Sequence, residues 1–213
     1  MGLSGSWIGF PNLAKERLLR ELGLEETDET GDFFAVANPL SLGTMPNGAL
    51  IIYSNDFDWA DSHRLLEMPR LGLVVGCQFS DVVMGSYCSG AQDGQALWRV
   101  SHESDKGIYN LEMSGDLPAE FAGIRQRCIA EQDEEGGEEA DVDLLFDAPL
   151  LLAKLLCGMK YDDESSALPF TGLRPVEGGW ATTQLPKSGR RSRWKWVIVA
   201  GLIILGLLAL GRH

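Results

Sequence analysis

The sequence lacks the short motifs that mark most metal, nucleotide and hydrolase sites. Its 213 residues include three histidines and four cysteines, with no Cys-x-x-Cys pair and no His-Glu-x-x-His motif. Gly-x-Gly-x-x-Gly, the phosphate-binding Gly-Lys-Ser/Thr and Gly-x-Ser-x-Gly are also missing. The motifs therefore give no positive support to an enzyme, and we predict no cofactor and no bound metal.

The cysteines are too scattered for a zinc or redox site. Cys77, Cys88, Cys128 and Cys157 stand 11, 40 and 29 residues apart. A cytoplasmic location would keep them as thiols. Cys128 and Cys157 fall among apolar helix positions, so we predict that each serves as a small buried side chain.

Positive charge is scarce except at the C-terminus. The chain has 18 Lys and Arg against 31 Asp and Glu, for a net charge of −13. Residues 1–186 contain all 31 acidic residues and 12 basic ones, whereas 187–213 contain six basic residues and no acidic one. An acidic domain repels phosphates, so we predict no nucleic-acid partner. A basic protein partner is compatible with this charge, and solubility alone is the alternative reading.

The one long hydrophobic run lies at residues 194–211. Its 18 residues would span about 27 Å as a helix, which is short but sufficient for a bilayer. We predict a single transmembrane helix anchored by Trp194, Trp196, Val197, Leu202, Ile203, Leu207 and Leu210. Five basic residues lie before the run or at its start and indicate that the N-terminal domain is cytoplasmic: Lys187, Arg190, Arg191, Arg193 and Lys195. A buried apolar core helix is the alternative, but it leaves this basic cluster unexplained.

The hydrophobic pattern predicts an α+β domain over 1–161, with an antiparallel β meander and helices packed on one face. A flexible Pro/Gly-rich linker with a basic juxtamembrane end would follow at 162–193. Strands are expected at 33–37, 49–53, 73–79, 82–89, 95–102 and 109–114, with Asp93-Gly94 as a hairpin turn. Helices are expected at 13–22, before Pro69, after Asp116 as N-cap, and from Asp147 as N-cap to Gly158.

Two surfaces are candidates for partner binding. Residues 131–143 hold eight acidic residues among thirteen and no basic one, which predicts a solvated loop. Its exposed carboxylates form the first candidate surface: Glu134, Glu135, Glu138, Glu139 and Asp141. An acidic turn is also expected at 25–32. The exposed edge of the meander is the second candidate surface.

His102 is the one candidate for catalysis. It stands in the run Ser-His-Glu-Ser-Asp at 101–105, but neighbouring residues of a strand face opposite sides, so Ser101 and His102 cannot form a nucleophile and base pair. A histidine at a strand end beside an exposed turn is the ordinary expectation. His63 has Asp61 and Glu67 nearby, but these supply too few ligands for a metal site.

Five stretches of the chain, at 46–53, 96–103, 115–121, 142–150 and 158–163, together resemble poorly characterised bacterial α+β proteins of the toxin-immunity type. The resemblance covers about residues 40–163. It implies a domain that binds a cognate toxin and has no catalytic residues. The membrane tail departs from a purely soluble immunity protein.

The leading hypothesis is therefore a tail-anchored bacterial inner-membrane protein whose cytoplasmic acidic domain binds another protein, with toxin neutralisation as one form of that binding. One alternative is a membrane-tethered enzyme that uses His102 with Glu103 or Asp105 and has a pocket around them. The other is a structural component of an envelope assembly, in which the tail is the main interacting element. Replacing 194–211 with an unrelated span would abolish only this last function.

The predicted anchor can be tested by fractionation of the intact chain. We expect it to sediment with membranes in a detergent-free extract and to be released by detergent, because the apolar run partitions into lipid. A chain ending before 194 serves as the control and should stay in the supernatant. Recovery of the intact chain in the supernatant would contradict the anchor.

Overall fold

A computed structural model of the chain describes residues 2–183, which contain nine strands and five α-helices. The strands are β1 (Ser4–Phe10), β2 (Leu24–Gly31), β3 (Leu40–Thr44), β4 (Leu50–Ser54), β5 (Leu73–Ser80), β6 (Gly85–Gln92), β7 (Gln95–Glu103), β8 (Leu111–Gly115) and β9 (Phe170–Pro175). The helices are α1 (Lys15–Leu22), α2 (Ser62–Glu67), α3 (Phe121–Glu134), α4 (Asp147–Cys157) and α5 (Trp180–Thr183). The fold is α+β.

All nine strands form one antiparallel sheet in the order β2-β9-β3-β4-β1-β5-β6-β7-β8. The predicted meander is confirmed as β5 to β8. Asp93 (φ 50°) and Gly94 (φ 85°) make the tight turn between β6 and β7, where both central residues need positive φ. β1 lies at the centre between β4 and β5, although sequence reasoning assigned no strand there.

Helices cover both faces of the sheet, so the expectation of helices on one face is wrong. Trp7 of β1 packs in the core with α3 and α4, whereas its neighbour Ile8 packs with α1 and α2. β4 alternates in the same way, with Ile51 in the first core and Ile52 in the second. Because successive strand residues point to opposite faces, continuous apolar runs in the central strands require cover on both sides.

Two predictions near the N-terminus are wrong for local reasons. Residues 25–32 are mainly β2, an edge strand, where Glu26 pairs with Lys15 and Glu25 pairs with Arg174. Residues 33–37 do not form a strand. Residues 33–35 form a turn and 36–37 are irregular, because the Asp32 carboxylate accepts the N–H groups of Phe34 and Ala35.

The helix ends were predicted better than the helix starts. Gly23 (φ 62°) and Gly158 (φ 79°) follow α1 and α4 in the left-handed conformation, as expected. The N-cap predictions are wrong, because α3 begins at Phe121, well after Asp116, and Asp147 is already the first residue of α4. All four cysteines are buried and free, which confirms the prediction for Cys128 and Cys157.

The predicted domain end at 161 and the predicted linker from 162 are wrong within the described residues. β9 lies between β2 and β3, so a boundary at 161 would remove an inner strand. Phe170 is fully buried, and its ring lies where a Cβ on Gly43 would stand. Pro169 precedes the strand and Pro175 is its last residue, which explains why the sequence resembles a linker: proline is tolerated where a strand begins or ends.

The remaining C-terminal predictions, the basic residues at 187–195 and the anchor at 194–211, lie outside the described residues. Within 2–183, no helix combines the length and the apolar character that a membrane crossing requires.

The role of β9 can be tested by truncating its buried side chain. Phe170→Ala should lower the free energy of unfolding by about 3–5 kcal/mol, because it leaves a cavity beside Gly43. Val176→Ala, just after the strand and 44% exposed, is the matched control and should cost less than about 0.5 kcal/mol. Urea unfolding followed by circular dichroism measures both. Equal small effects would mean that this segment is a linker after all.

Candidate functional site

The acidic segment 131–143 is an ordered part of the fold, so the prediction of a solvated loop is wrong for its backbone. α3 continues to Glu134, Gly136 (φ 119°) turns the chain, and a 3-10 helix follows at Gly137–Glu139. The carboxylates themselves are exposed as predicted. None of the five predicted surface residues forms an ion pair with another described residue: Glu134, Glu135, Glu138, Glu139 and Asp141. We call these five residues the acidic platform.

The backbone of this segment is held from inside by Gln132. Its side chain is fully buried. The amide Nε2 donates to the carbonyl oxygens of Gly137 at 2.8 Å and Val142 at 3.1 Å, and Oε1 accepts the N–H of Leu144 at 2.8 Å. One amide therefore satisfies three backbone groups that would otherwise need water, and it closes the segment into a fixed loop.

A second attachment joins the end of α3 to the residues before β8. The Tyr109 hydroxyl donates a hydrogen bond to the Asp133 carboxylate. This bond and the nearby acidic charge raise the pKa of Tyr109 to about 12, so the hydroxyl keeps its proton at neutral pH. The acidic platform consequently lies beside the start of the sheet's edge strand.

The third attachment is a polar cluster at the end of β7. His102 Nε2 lies 2.8 Å from Asp143 Oδ2, and His102 Nδ1 lies 2.7 Å from the carbonyl oxygen of Asn110. The Ser104 hydroxyl donates to the same Asp143 carboxylate, whose other oxygen accepts the N–H of Phe146 at 3.2 Å. Asp143 thus ties the acidic segment to the sheet and to the residues that lead into α4.

The charge of Asp143 is stabilised where it lies. Burial by itself would raise the pKa of this carboxyl group, but the hydrogen bonds from His102 and Ser104 and the interaction with the His102 ring outweigh it. The net effect is a lowered pKa, so Asp143 is ionised at neutral pH.

This cluster has the residue types of a hydrolase triad but a different arrangement. His102 is fully buried, and both of its ring nitrogens face acceptors, the Asn110 carbonyl and the Asp143 carboxylate. Ser104 Oγ is 3.4 Å from Nε2 and directs its proton to Asp143, so no nitrogen is free to act as its base. His102 lies near the end of β7 beside the 3-10 turn at Ser104–Lys106, as expected, but its own side chain is buried.

The ring nitrogens of His102 contact Asn110 and Asp143, and neither carboxylate suggested as its catalytic partner takes these positions. Glu103 accepts a hydrogen bond from Lys106 at 3.1 Å, and Asp105 is exposed in a 3-10 turn. The structure instead pairs His102 with Asp143, 41 residues away. Ser101 is on the opposite face of β7 from His102, as the strand geometry predicted.

Two surface cavities lie elsewhere on the molecule. One, of about 340 Å³, is lined by polar residues and by Leu97: Arg70, Gln92, Asp93 and Gln95. The other, of about 280 Å³, lies between α2 and strands β6 to β8. Neither is lined by His102 or by the acidic platform. Within residues 2–183, no group of three His, Cys, Asp or Glu side chains is placed to hold a metal, and His63 is exposed.

No protein-family model matches the chain, and comparisons with curated proteins and with solved structures find no match. The resemblance to toxin-immunity proteins therefore stays a prediction from sequence.

Sequence reasoning found the acidic platform but missed what holds it. Gln132 lies four residues after Cys128 and eight after Ile124, so it occupies the buried stripe of α3. A polar residue on the buried face of a helix needs hydrogen-bond partners inside the protein. Its position in the sequence could therefore have predicted that its side chain binds backbone groups. The pairing of Asp143 with His102 had no local signal, because the two residues meet only when the sheet forms.

The attachment through Asp143 can be tested by Asp143→Asn. We expect a loss of about 2 kcal/mol in the free energy of unfolding at pH 7, because hydrogen bonds to a charged acceptor are lost. Since the pKa is lowered by folding, the stabilisation is present above the unfolded pKa of about 3.9 and disappears as pH falls through the folded value. The difference between wild type and variant should therefore shrink as pH falls below about 5.

Asp141→Asn is the matched control, because Asp141 is exposed two residues away on the same segment. Its effect should stay within about 0.5 kcal/mol at every pH. Chemical unfolding at a series of pH values measures both variants. A constant difference between wild type and Asp143→Asn down to pH 2 would show that the charge of Asp143 contributes nothing.

Proposed function

We propose that this domain is a protein-binding module that holds a basic partner against the acidic platform. The observation that supports this most directly is five exposed carboxylates that form no ion pair within residues 2–183, on a backbone fixed by Gln132 and Asp143. A charged surface on a flexible loop loses conformational entropy when it binds a partner, whereas a surface on a fixed backbone loses less. The arrangement therefore favours recognition over mere solubility.

The charge pattern indicates which properties the partner surface must have. Close carboxylates repel one another and attract a surface rich in Lys or Arg, which raises association rates and discriminates against acidic proteins. Val142 is 45% exposed beside Asp141 and supplies an apolar contact within the charged surface. A partner with basic residues around a small apolar patch fits this composition.

The proposal extends to location and to biological role. The apolar run at 194–211 would tether the domain to a membrane, and the basic residues before it would keep the domain on the cytoplasmic side. Together with the resemblance to immunity proteins, this suggests neutralisation of a basic toxin domain near that membrane. The buried environment of His102 makes the enzyme alternative less favourable, because substrate could not reach the ring without local opening.

The proposal can be tested with a charge-neutralised platform in the full-length protein. The variant replaces each of the five carboxylates by its amide: Glu134→Gln, Glu135→Gln, Glu138→Gln, Glu139→Gln and Asp141→Asn. Crosslinking and affinity capture from membranes should recover a basic protein with the wild type, and recovery should fall at least about tenfold with the variant. Recovery should also fall as salt rises, because exposed charges are screened.

A second variant controls for net charge. It neutralises five exposed carboxylates elsewhere on the domain, Glu16, Asp28, Asp58, Glu164 and Glu177. It should capture the partner as the wild type does. Equal losses in both variants would mean that total charge, and not the platform, governs binding. Absence of a captured protein at low salt would contradict a binding function.

A further inference from the structure

β8 is a regular edge strand with an open side. It pairs with β7 through five successive residue pairs, from Trp98 with Gly115 to His102 with Leu111, without a bulge. No strand of the described chain pairs with its other side. The side chains along β8 are mostly exposed, including Met113 at 44%. Unpaired edges of this kind are templates for another strand.

The pairing pattern identifies which backbone groups face outward. Just after β8, the N–H of Asp116 donates to the carbonyl of Leu97 at 3.1 Å. Hydrogen-bonded and non-hydrogen-bonded pairs alternate along an antiparallel ladder, so Ser114 and Glu112 also direct their backbone groups toward β7. Leu111 and Met113 therefore direct their N–H and C=O groups toward the open edge.

The opposite edge of the sheet is less suitable. β2 loses register with β9 between Glu26 and Thr30, and such irregularity disrupts the flat line of donors and acceptors that a new strand needs. β8 has no such interruption over Leu111–Gly115. The two edges are thus not equivalent as docking sites.

Charge around β8 selects the incoming segment. Residues 103–120 contain five acidic residues and one basic residue, Lys106. The acidic platform is adjacent, because Tyr109 contacts Asp133 and His102, the partner of Leu111 in the ladder, contacts Asp143. The acidic part of a second copy, residues 1–186, would be repelled, whereas a basic segment would be attracted.

We propose that the open edge of β8 accepts an extended basic segment of the partner protein as a tenth antiparallel or parallel strand, with its end lying on the acidic platform. This inference rests on the proposed function and specifies its binding mode. Backbone hydrogen bonds to Leu111 and Met113 supply affinity, and alternate side chains supply specificity.

The two faces of β8 define that side-chain pattern. Met113 is paired with Val100, which belongs to the core beneath α3 and α4, so the incoming residues on this face are apolar. Glu112 lies on the other face, where it pairs with Lys106 at 2.9 Å. Its side chain remains 58% exposed, so an incoming Lys or Arg there can share or replace the contact with Lys106. The segment recognised therefore alternates basic and apolar residues.

The test uses a fluorescent peptide of about eight residues that alternates Lys and Val, long enough to cover a typical strand. The matched control peptide has the same sequence with alternate backbone nitrogens methylated, which keeps the charge and removes the donors on one edge. Binding to the full-length protein in a mild detergent is followed by anisotropy. We expect the methylated peptide to bind at least about tenfold more weakly.

Protein variants provide the second arm. Met113→Pro removes the outward N–H of β8 without removing a bond to β7, and proline is tolerated on edge strands with that orientation. It should weaken binding of the unmodified peptide at least about tenfold, whereas Met113→Ala, which keeps the N–H, should weaken it by less than about threefold. Peptide binding to the wild type should also slow hydrogen exchange at Leu111 and Met113, a readout that does not depend on either variant folding.

The outcomes separate this inference from the proposed function. Equal binding of the two peptides, no slowing of exchange, or no binding of the unmodified peptide would overturn strand addition. The platform variant and its charge control are measured with the same peptides. If the platform variant alone loses the peptides while methylation has no effect, the acidic platform binds basic partners without strand addition.

Discussion

The fold depends on one central strand that is apolar on both faces. β1 carries Trp7 toward one core and Ile8 and Phe10 toward the other, and all three side chains are buried. Such a strand is stable only when both of its edges are paired and both of its faces are covered. β4 and β5 provide the pairing, and the helices on either side provide the cover. Everything distal to these strands, including β8 and the acidic segment, is positioned relative to this centre.

Polar side chains inside the fold perform a different task, since they set the position of a segment that cannot be held by hydrophobic burial. Residues 131–143 are mostly acidic, and their mutual repulsion opposes a fixed conformation. Gln132 and Asp143 counter this by bonding backbone and side-chain groups on both sides of the loop. Buried polar contacts are favourable only when every group has a partner, and these two residues meet that condition.

A surface of like charges is expensive for the protein that carries it, because the charges repel in the free state. The same carboxylates attract a basic surface when one approaches. The proposed site combines such a surface with the sheet edge beside it. Charge alone tolerates many geometries, whereas a row of backbone donors and acceptors requires an extended partner segment in a defined register. The charged surface would raise the association rate, and the sheet edge would discriminate between partner segments.

Local patterns predicted much of this structure and failed where distant residues meet. The meander, its Asp93-Gly94 turn and the glycines after α1 and α4 were predictable because each depends on residues within a few positions. β9 was predicted as part of a linker because prolines and other turn-forming residues surround its six residues. Only its pairing with β2 and β3 identifies it as a strand. β2 was missed because its acidic residues predict a turn, and the Lys15 and Arg174 side chains that neutralise two of them come from distant parts of the chain.

The sequence by itself determined the α+β class, the uneven distribution of charge and the identity of the exposed carboxylates, because these follow from composition and short-range periodicity. Only the tertiary structure decided that His102 is buried against Asp143, that Gln132 closes the acidic segment, and that β9 completes the sheet. The physical reason is that a buried hydrogen bond or an inner strand exists only when segments far apart in the chain are brought together. No local pattern records which segments those will be.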